Sequence, residues 1–185
     1  MRKGLCLMMV LMMLSGCSGK DEELDRAIAL RMKLLSADCS FDVKITADYG
    51  DKISQFSVTC QGDTYGNLAF TVTNPETIAG ITGIIDHEGG KLTFDEVALA
   101  FPLLAEEQIS PVSSPWIFLK TLRGGYLTAA GTEEELLRLT INDSYEEDAL
   151  QLDIWLDSTD CPVRAEILYD GCRIVTLEIE NFRIQ

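Results

Sequence analysis

Residues 39–48 alternate with period two. Cys39, Phe41, Val43, Ile45 and Ala47 are apolar, and Ser40, Asp42, Lys44, Thr46 and Asp48 between them are polar. Successive side chains of a strand point to opposite faces, so this segment predicts a strand with one face in a core and the other in water. Any strand paired with it must put its apolar residues on the same face, and something must then cover that face. Tyr49-Gly50 supplies a tight turn, and a two-residue loop there pairs residues whose numbers sum to 99. Phe41 then faces Val58, Val43 faces Phe56 and Cys39 faces Cys60, so turn and hydrophobic pattern agree on one register. In that register Cys39 and Cys60 form a non-hydrogen-bonded pair with Cα atoms about 4.5 Å apart, near the lower limit for a disulfide. They are the candidate bridge, with a reduced pair packed as two small apolar groups as the alternative.

The alternation continues at Leu68, Phe70 and Val72 until Asn74-Pro75-Glu76, with a helical turn expected over 76–80. Ile81–Ile85 and Lys91–Phe94 flank Asp86-His87-Glu88-Gly89-Gly90 as another hairpin. The C-terminal third reads as a meander through Leu137, Leu139, Ile141, then Leu150, Leu152, Ile154, then Val163, Ala165, Ile167, then Val175, Leu177, Ile179. A three-residue last loop, Asp170–Cys172, faces Val163 with Ile179 and Ile167 with Val175.

Two segments have the helical period instead. Over 21–37, Leu24, Ala27, Ile28, Leu30, Met32, Leu34 and Leu35 cover one broad face, with Arg26, Ala29 and Lys33 opposite and Arg31 amid the apolar arc. Arg31 reads either as a packed stem whose head reaches water or as a cavity arginine that must pair with a carboxylate. Ser114, as a cap before Pro115, opens a short helix carrying Trp116, Ile117, Leu119 and Leu122, ended by Gly124-Gly125. The expected fold class is α+β. About ten mostly antiparallel strands form a curved sheet, an incomplete barrel, covered by the long N-terminal helix and the short central one.

Ahead of the helix, Arg2 and Lys3 precede an apolar run from Leu5 to Leu14 that is far shorter than the ~20 residues of a membrane-spanning helix. Residues 1–16 therefore read as a signal peptide. Leu14-Ser15-Gly16-Cys17 at its end resembles a bacterial lipobox. The resemblance implies cleavage before Cys17, diacylglycerol on its sulfur and acylation, with palmitate-type chains, of the new N-terminus. More than one chain is what stable anchoring requires, at ~0.8 kcal/mol per buried methylene. Residues 17–22 then form a lipidated tether and 23–185 one domain, held at the extracytoplasmic face of the cell membrane.

Removing residues 1–16 from 185 leaves 169, enough for one domain, and no linker or repeat divides them. The formal charge of −15 becomes −17 when Arg2 and Lys3 leave, which excludes tracking a nucleic-acid backbone. Of six cysteines, Cys6 leaves with the signal and Cys17 takes lipid. Cys39, Cys60, Cys161 and Cys172 remain, without a CxxC pair or accompanying histidine, so no metal site or cofactor is expected. Cys161 and Cys172 sit at opposite ends of one strand and cannot bridge each other without bending it.

The order of features across the mature chain resembles the LolA/LolB-like lipoprotein-carrier superfamily. The residues that carry the resemblance are the long N-terminal amphipathic helix, Asn74-Pro75-Glu76 with Gly80-Ile81, Gly90-Lys91-Leu92-Thr93-Phe94, Ser114-Pro115, Asp160-Cys161-Pro162-Val163, Asp170-Gly171 and Glu178-Ile179-Glu180-Asn181-Phe182. Within that superfamily the chain is most similar to lipoproteins of spore-forming Gram-positive bacteria, the germination type included. The resemblance implies helices closing a hydrophobic cavity against the sheet, which carriers fill with acyl chains and some relatives replace by a protein partner.

Catalysis has little to stand on. His87, the single histidine, lies in a hairpin loop with Asp86 and Glu88 sent to opposite faces, and no nucleophile or phosphate-loop motif is present. The acidic clusters Glu133–Glu135 and Asp143–Asp148 lack calcium-loop spacing. Trp155 falls out of phase with Leu150, Leu152 and Ile154, which places it exposed on the outer sheet face. The expected function is non-catalytic binding of a lipid or other hydrophobic ligand, as carrier or sensor. The expected cavity is lined by Phe41, Val43, Phe56, Val58, Leu152, Ile154 and Ile167, with Arg31 at its wall. The alternative is an interaction module that docks on an envelope or spore-associated protein, its interior filled by its own side chains.

Overall fold

The computed structural model describes residues 18–95, 97–105 and 108–185, so the expected signal peptide and Cys17 lie outside the described residues. Helix α1 (Ser18–Ser36) leads into β1 (Cys39–Asp48), β2 (Ile53–Gly62), β3 (Leu68–Asn74), β4 (Thr82–Ile85), β5 (Gly90–Phe94) and β6 (Val97–Phe101). A two-residue pair, β7 (Leu104–Ala105) and β8 (Gln108–Ile109), and a 3-10 turn (Pro111–Ser113) connect to helix α2 (Ser114–Gly124). The meander follows as β9 (Tyr126–Glu133), β10 (Leu136–Asn142), β11 (Gln151–Leu156), β12 (Pro162–Tyr169) and β13 (Cys172–Ile184). Eleven strands form one sheet in the order β6-β5-β4-β3-β2-β1-β13-β12-β11-β10-β9. The first and last strands, β1 and β13, meet at its middle and pair antiparallel. The edges, β6 and β9, do not pair, so the barrel stays open and the fold is the α+β half-barrel that the alternation predicts.

One face of this sheet is the core. Ile45, Ala47, Cys60, Leu68, Ile85, Ile141, Ile154 and Ile167 are all fully buried on it. Helix α2 lies directly on β2, since a Cβ on Gly62 would stand 2.3 Å from Leu119 Cδ2. Fully buried Phe118 meets Phe41 edge-on at 5.7 Å, an arrangement that adds to area burial. Trp116 Nε1 donates to the Gly66 carbonyl at 2.9 Å and Arg123 Nη1 to that of Asp63 at 2.7 Å, which clips the helix to the β2–β3 turn. Ser114 is the first helical residue and donates its hydroxyl to Pro111 O at 2.7 Å. It ties the helix to the preceding turn and is not its cap.

Helix α1 buries a narrower stripe than its apolar arc suggests. Ala27, Leu30 and Leu34 enter the core, while Leu24, Ile28, Met32 and Leu35 are 43–66% exposed. Arg26 fixes the helix by pairing with Asp160 at 2.7 Å and donating to Asp157 O, both in the β11–β12 turn. Glu23 accepts from Thr132 on β9 at 3.0 Å.

The first hairpin departs from the expected register by two residues. Its loop is four residues, Tyr49–Lys52, and Phe41 faces Cys60, Val43 faces Val58, Ile45 faces Phe56 and Cys39 faces Gly62. Tyr49 is not at the turn's corner because its ring packs on the core and its hydroxyl donates to Ile109 O. Asp48 Oδ1 accepts from Gly50 N at 2.9 Å, and Gly50 takes the left-handed φ of +86° that such a loop needs. A shift of two keeps every side chain on its own face, so hydrophobic alternation cannot distinguish the two registers. The expected Cys39–Cys60 bridge falls with the register, and both residues are free thiols. The last hairpin keeps its expected pairing of Ile167 with Val175 by another route. Asp170 and Gly171 form a two-residue turn, both with positive φ, and a bulge at Ile167–Leu168 absorbs the third residue.

Candidate functional site

The inner face of the sheet changes character along its width. From β10 to β1 it is sealed: Leu137, Leu139, Leu152, Ile154, Leu177 and Val43 are each no more than 2% exposed. Toward β6 the helices no longer reach it. Register carries the inner row from Phe70 to Gly83 to Leu92 to Leu99, and its neighbour from Phe94 to Val97. Leu92 is half-buried, and Phe94, Val97 and Leu99 are 50%, 70% and 64% exposed on that face.

Two glycines shape this end. A Cβ on Gly83 would lie 2.5 Å from the Phe70 ring, and one on Gly90 would lie 2.0 Å from the ring of Phe101. Each aromatic thus lies over a bare backbone position, and the surface between them is low, apolar and rimmed by rings. Strand β6 itself, Val-Ala-Leu-Ala-Phe, carries no charge, proline or bulge, so its outer row of N–H and C=O groups is unguarded.

The expected cavity residues divide between the two regions. Phe41, Val43, Val58, Leu152, Ile154 and Ile167 belong to one buried cluster with Phe118, Leu119 and Leu122 of α2. The helix occupies the space in front of them. Phe56 is half-buried at the edge of the cluster. Arg31 is half-buried, with Nη2 shielded from water and without a hydrogen-bond partner among the described residues, and burial lowers its pKa. It therefore matches neither expectation fully: the stem is packed, but the head is not wholly in water and no carboxylate receives this nitrogen. The residues that sequence reasoning missed are Phe94, Val97 and Leu99. Phe94 stands in the predicted second strand of its hairpin, whereas the sequence pattern does not predict β6 as a strand at all.

The outer face is ionic and aromatic. Trp155 points outward as expected but is only 6% exposed, a correction to its expected exposure. Arg164 and Arg138 lie over its ring at 4.4 and 5.2 Å, and its Nε1 donates to Glu133 Oε2 at 3.1 Å. Arg138 bonds buried Asp153 at 2.6 Å, and Arg164 and Arg173 both reach Glu166. This network is internally neutralised and leaves no uncompensated charge for a ligand. An open depression of about 410 Å³ lies on the outer face of β2–β5, where the hydroxyls of Thr59, Thr71, Thr82 and Thr93 and the amine of Lys91 alternate with the apolar groups of Ala69 and exposed Ile84. His87 is 85% exposed at its turn, where Asp86 accepts from Glu88 N and Gly89 N. Among the described residues no group of three or more His, Cys, Asp or Glu side chains converges on a cation position, and no helix is long and apolar enough to cross a membrane.

No protein family matches the sequence, and no curated protein does either. Solved structures are similar in outline. One is an uncharacterised conserved protein from Thermus thermophilus, 12% identical over 91% of this chain and 88% of its own, with a TM-score of 0.48. A LolA superfamily protein from Nitrosomonas europaea is 6% identical over 86% and 93% (TM-score 0.45). The lipoprotein LppX of Mycobacterium tuberculosis is 14% identical over 87% and 93% (TM-score 0.42). At such identities and scores the likeness is one of fold outline and assigns this chain no ligand.

Proposed function

We propose that this chain is an extracytoplasmic lipoprotein, anchored to the cell membrane through Cys17 after loss of residues 1–16, that binds a lipid or other hydrophobic ligand on the inner face of its sheet. The observation that carries the reading is the exposure of Phe94, Val97 and Leu99 on the face whose other end is sealed. Apolar residues aligned on one face and rimmed by rings form a surface that water covers at a cost and an acyl chain covers without one. The contact is drawn toward β4–β6 because α2 fills the other end. Ten methylenes would contribute ~8 kcal/mol gross, and an association cost of at least ~4 kcal/mol caps the net near ~4 kcal/mol, which keeps any binding weak and reversible, as a carrier or sensor requires.

The second reading, docking on an envelope protein, is favoured by one feature: the unguarded β6 edge can accept a partner's strand. Native mass spectrometry of the mature protein, released from membranes in mild detergent, tests the first reading. A discrete added mass lost on organic extraction, and regained with a long-chain fatty acid or lysophospholipid, is expected. A single apo mass with no uptake rejects the ligand and leaves the partner.

A further inference from the structure

Helix α1 carries a second apolar stripe that the domain leaves uncovered. At 100° per residue Leu24, Leu35, Ile28 and Met32 fall within an arc of about 80°. That arc lies beside the Ala27–Leu30–Leu34 stripe that enters the core, and its four residues are exposed, from 43% at Leu24 to 66% at Met32. Arg31 stands at the boundary between the two stripes, with its buried Nη2 unpartnered among the described residues.

We infer that this stripe rests on the bilayer that holds Cys17, so that α1 is an in-plane interfacial helix seating the domain on the membrane. The inference rests on the lipidation of Cys17 proposed above. The length of chain between anchor and helix selects this occupant: α1 begins at Ser18, inside the stretch 17–22 expected as a tether, so no linker separates the lipidated residue from the first helical one. With a rise of 1.5 Å per residue, Leu24 lies ~9 Å and Leu35 ~26 Å along the axis from Ser18, the first helical residue. Acyl chains inserted at Cys17 pin that end of the helix at the headgroup boundary, and the helix then either stands in water or lies down. Lying down takes four large apolar side chains out of water and brings the Arg31 guanidinium to the level of the lipid phosphates, which standing does not. Charge works against this contact. The chain carries −17 once residues 1–16 are removed and Asp25 is exposed beside the stripe, so apolar burial drives the seating and salt strengthens it on anionic vesicles. A second copy of the chain meets the same charge without the benefit of the shared anchor.

The test uses the full lipoprotein, checked for fatty-acid label and reconstituted into phosphatidylcholine–phosphatidylglycerol vesicles whose acyl chains are brominated. Met32→Trp reports from the stripe and Lys33→Trp from the exposed opposite flank, over a constant background of Trp116 and Trp155, each only 6% exposed. Bromine should quench the emission added by M32W several-fold more than that added by K33W, and Ile28→Glu with Leu35→Glu should abolish the difference. Equal quenching in labelled protein that floats with the vesicles overturns the inference and leaves the anchor intact. Crosslinking between copies through the stripe would assign it to a dimer and also overturn it. Absence of fatty-acid label removes the anchor and the inference with it.

Discussion

Leu99→Ser separates a binding surface from a core by arithmetic. Burying a leucine side chain fully contributes ~1.5–3 kcal/mol. Leu99 is 64% exposed, so the free protein realises about a third of that, and L99S should lower unfolding free energy by only ~0.5–1 kcal/mol. The unrealised two-thirds, ~1–2 kcal/mol, is available to a ligand and corresponds to a ~5–30-fold weaker Kd in the variant. Ile154→Ala, at a fully buried position that the sequence placed in the cavity, should cost ~2–5 kcal/mol of stability. Urea unfolding gives the first quantity for each variant, and displacement of a fluorescent fatty acid gives the second. A destabilisation by L99S above ~2 kcal/mol would place Leu99 in the core. Unchanged affinity in a protein that still binds would move the site away from β6.

The remaining predictions concern the polar framework. Asp42 is held below the ordinary carboxylate range by hydrogen bonds from Thr59 at 2.7 Å and Asn181 at 2.8 Å, with the charge of Arg183 assisting against burial. A depressed folded pKa contributes stability that is complete above the unfolded value near ~4 and is lost as pH falls through the folded one. Thr59→Val should therefore raise the Asp42 pKa in carboxyl NMR and flatten the acid limb of stability, and an unmoved titration would refute the assignment. Asp153→Ala leaves Arg138 over Trp155 with Glu133 alone. It should cost ~1–3 kcal/mol in denaturant unfolding, discounted because Arg138 is 40% exposed, and a neutral result would show the network to be ornamental. Thiol titration of unfolded, unreduced mature protein should count four free thiols, Cys39, Cys60, Cys161 and Cys172. A lower count would reinstate a bridge and challenge the hairpin register.

Strands whose inner face is covered were legible in the sequence, because burial writes a period of two: β1, β3, β10, β11 and β12 all announce themselves. The two edges did not. Every described residue of β6 except Phe101 is exposed, and β9 has no buried residue, so neither carries alternation to read. The candidate site was illegible for the same reason, since it lies where the sheet loses its cover. Trp155 shows the opposite failure. Its outward phase is plain from neighbouring residues, but its burial depends on Arg138, Arg164 and Glu133, which arrive from three other strands. The four-residue first loop escaped because Tyr49 is drawn inward by Ile109, sixty positions away, a contact no local turn rule contains.

Methyl-resolved NMR of the mature protein during titration with a lysophospholipid tests most directly whether the ligand lies on the open end of the inner face. The methyls of Leu92, Val97 and Leu99 should shift in step with saturable binding, while those of Val43, Ile154 and Ile167 stay in place behind α2. Shifts confined to the latter group would show that the packed half opens to take the ligand. No shifts at all would contradict that placement outright.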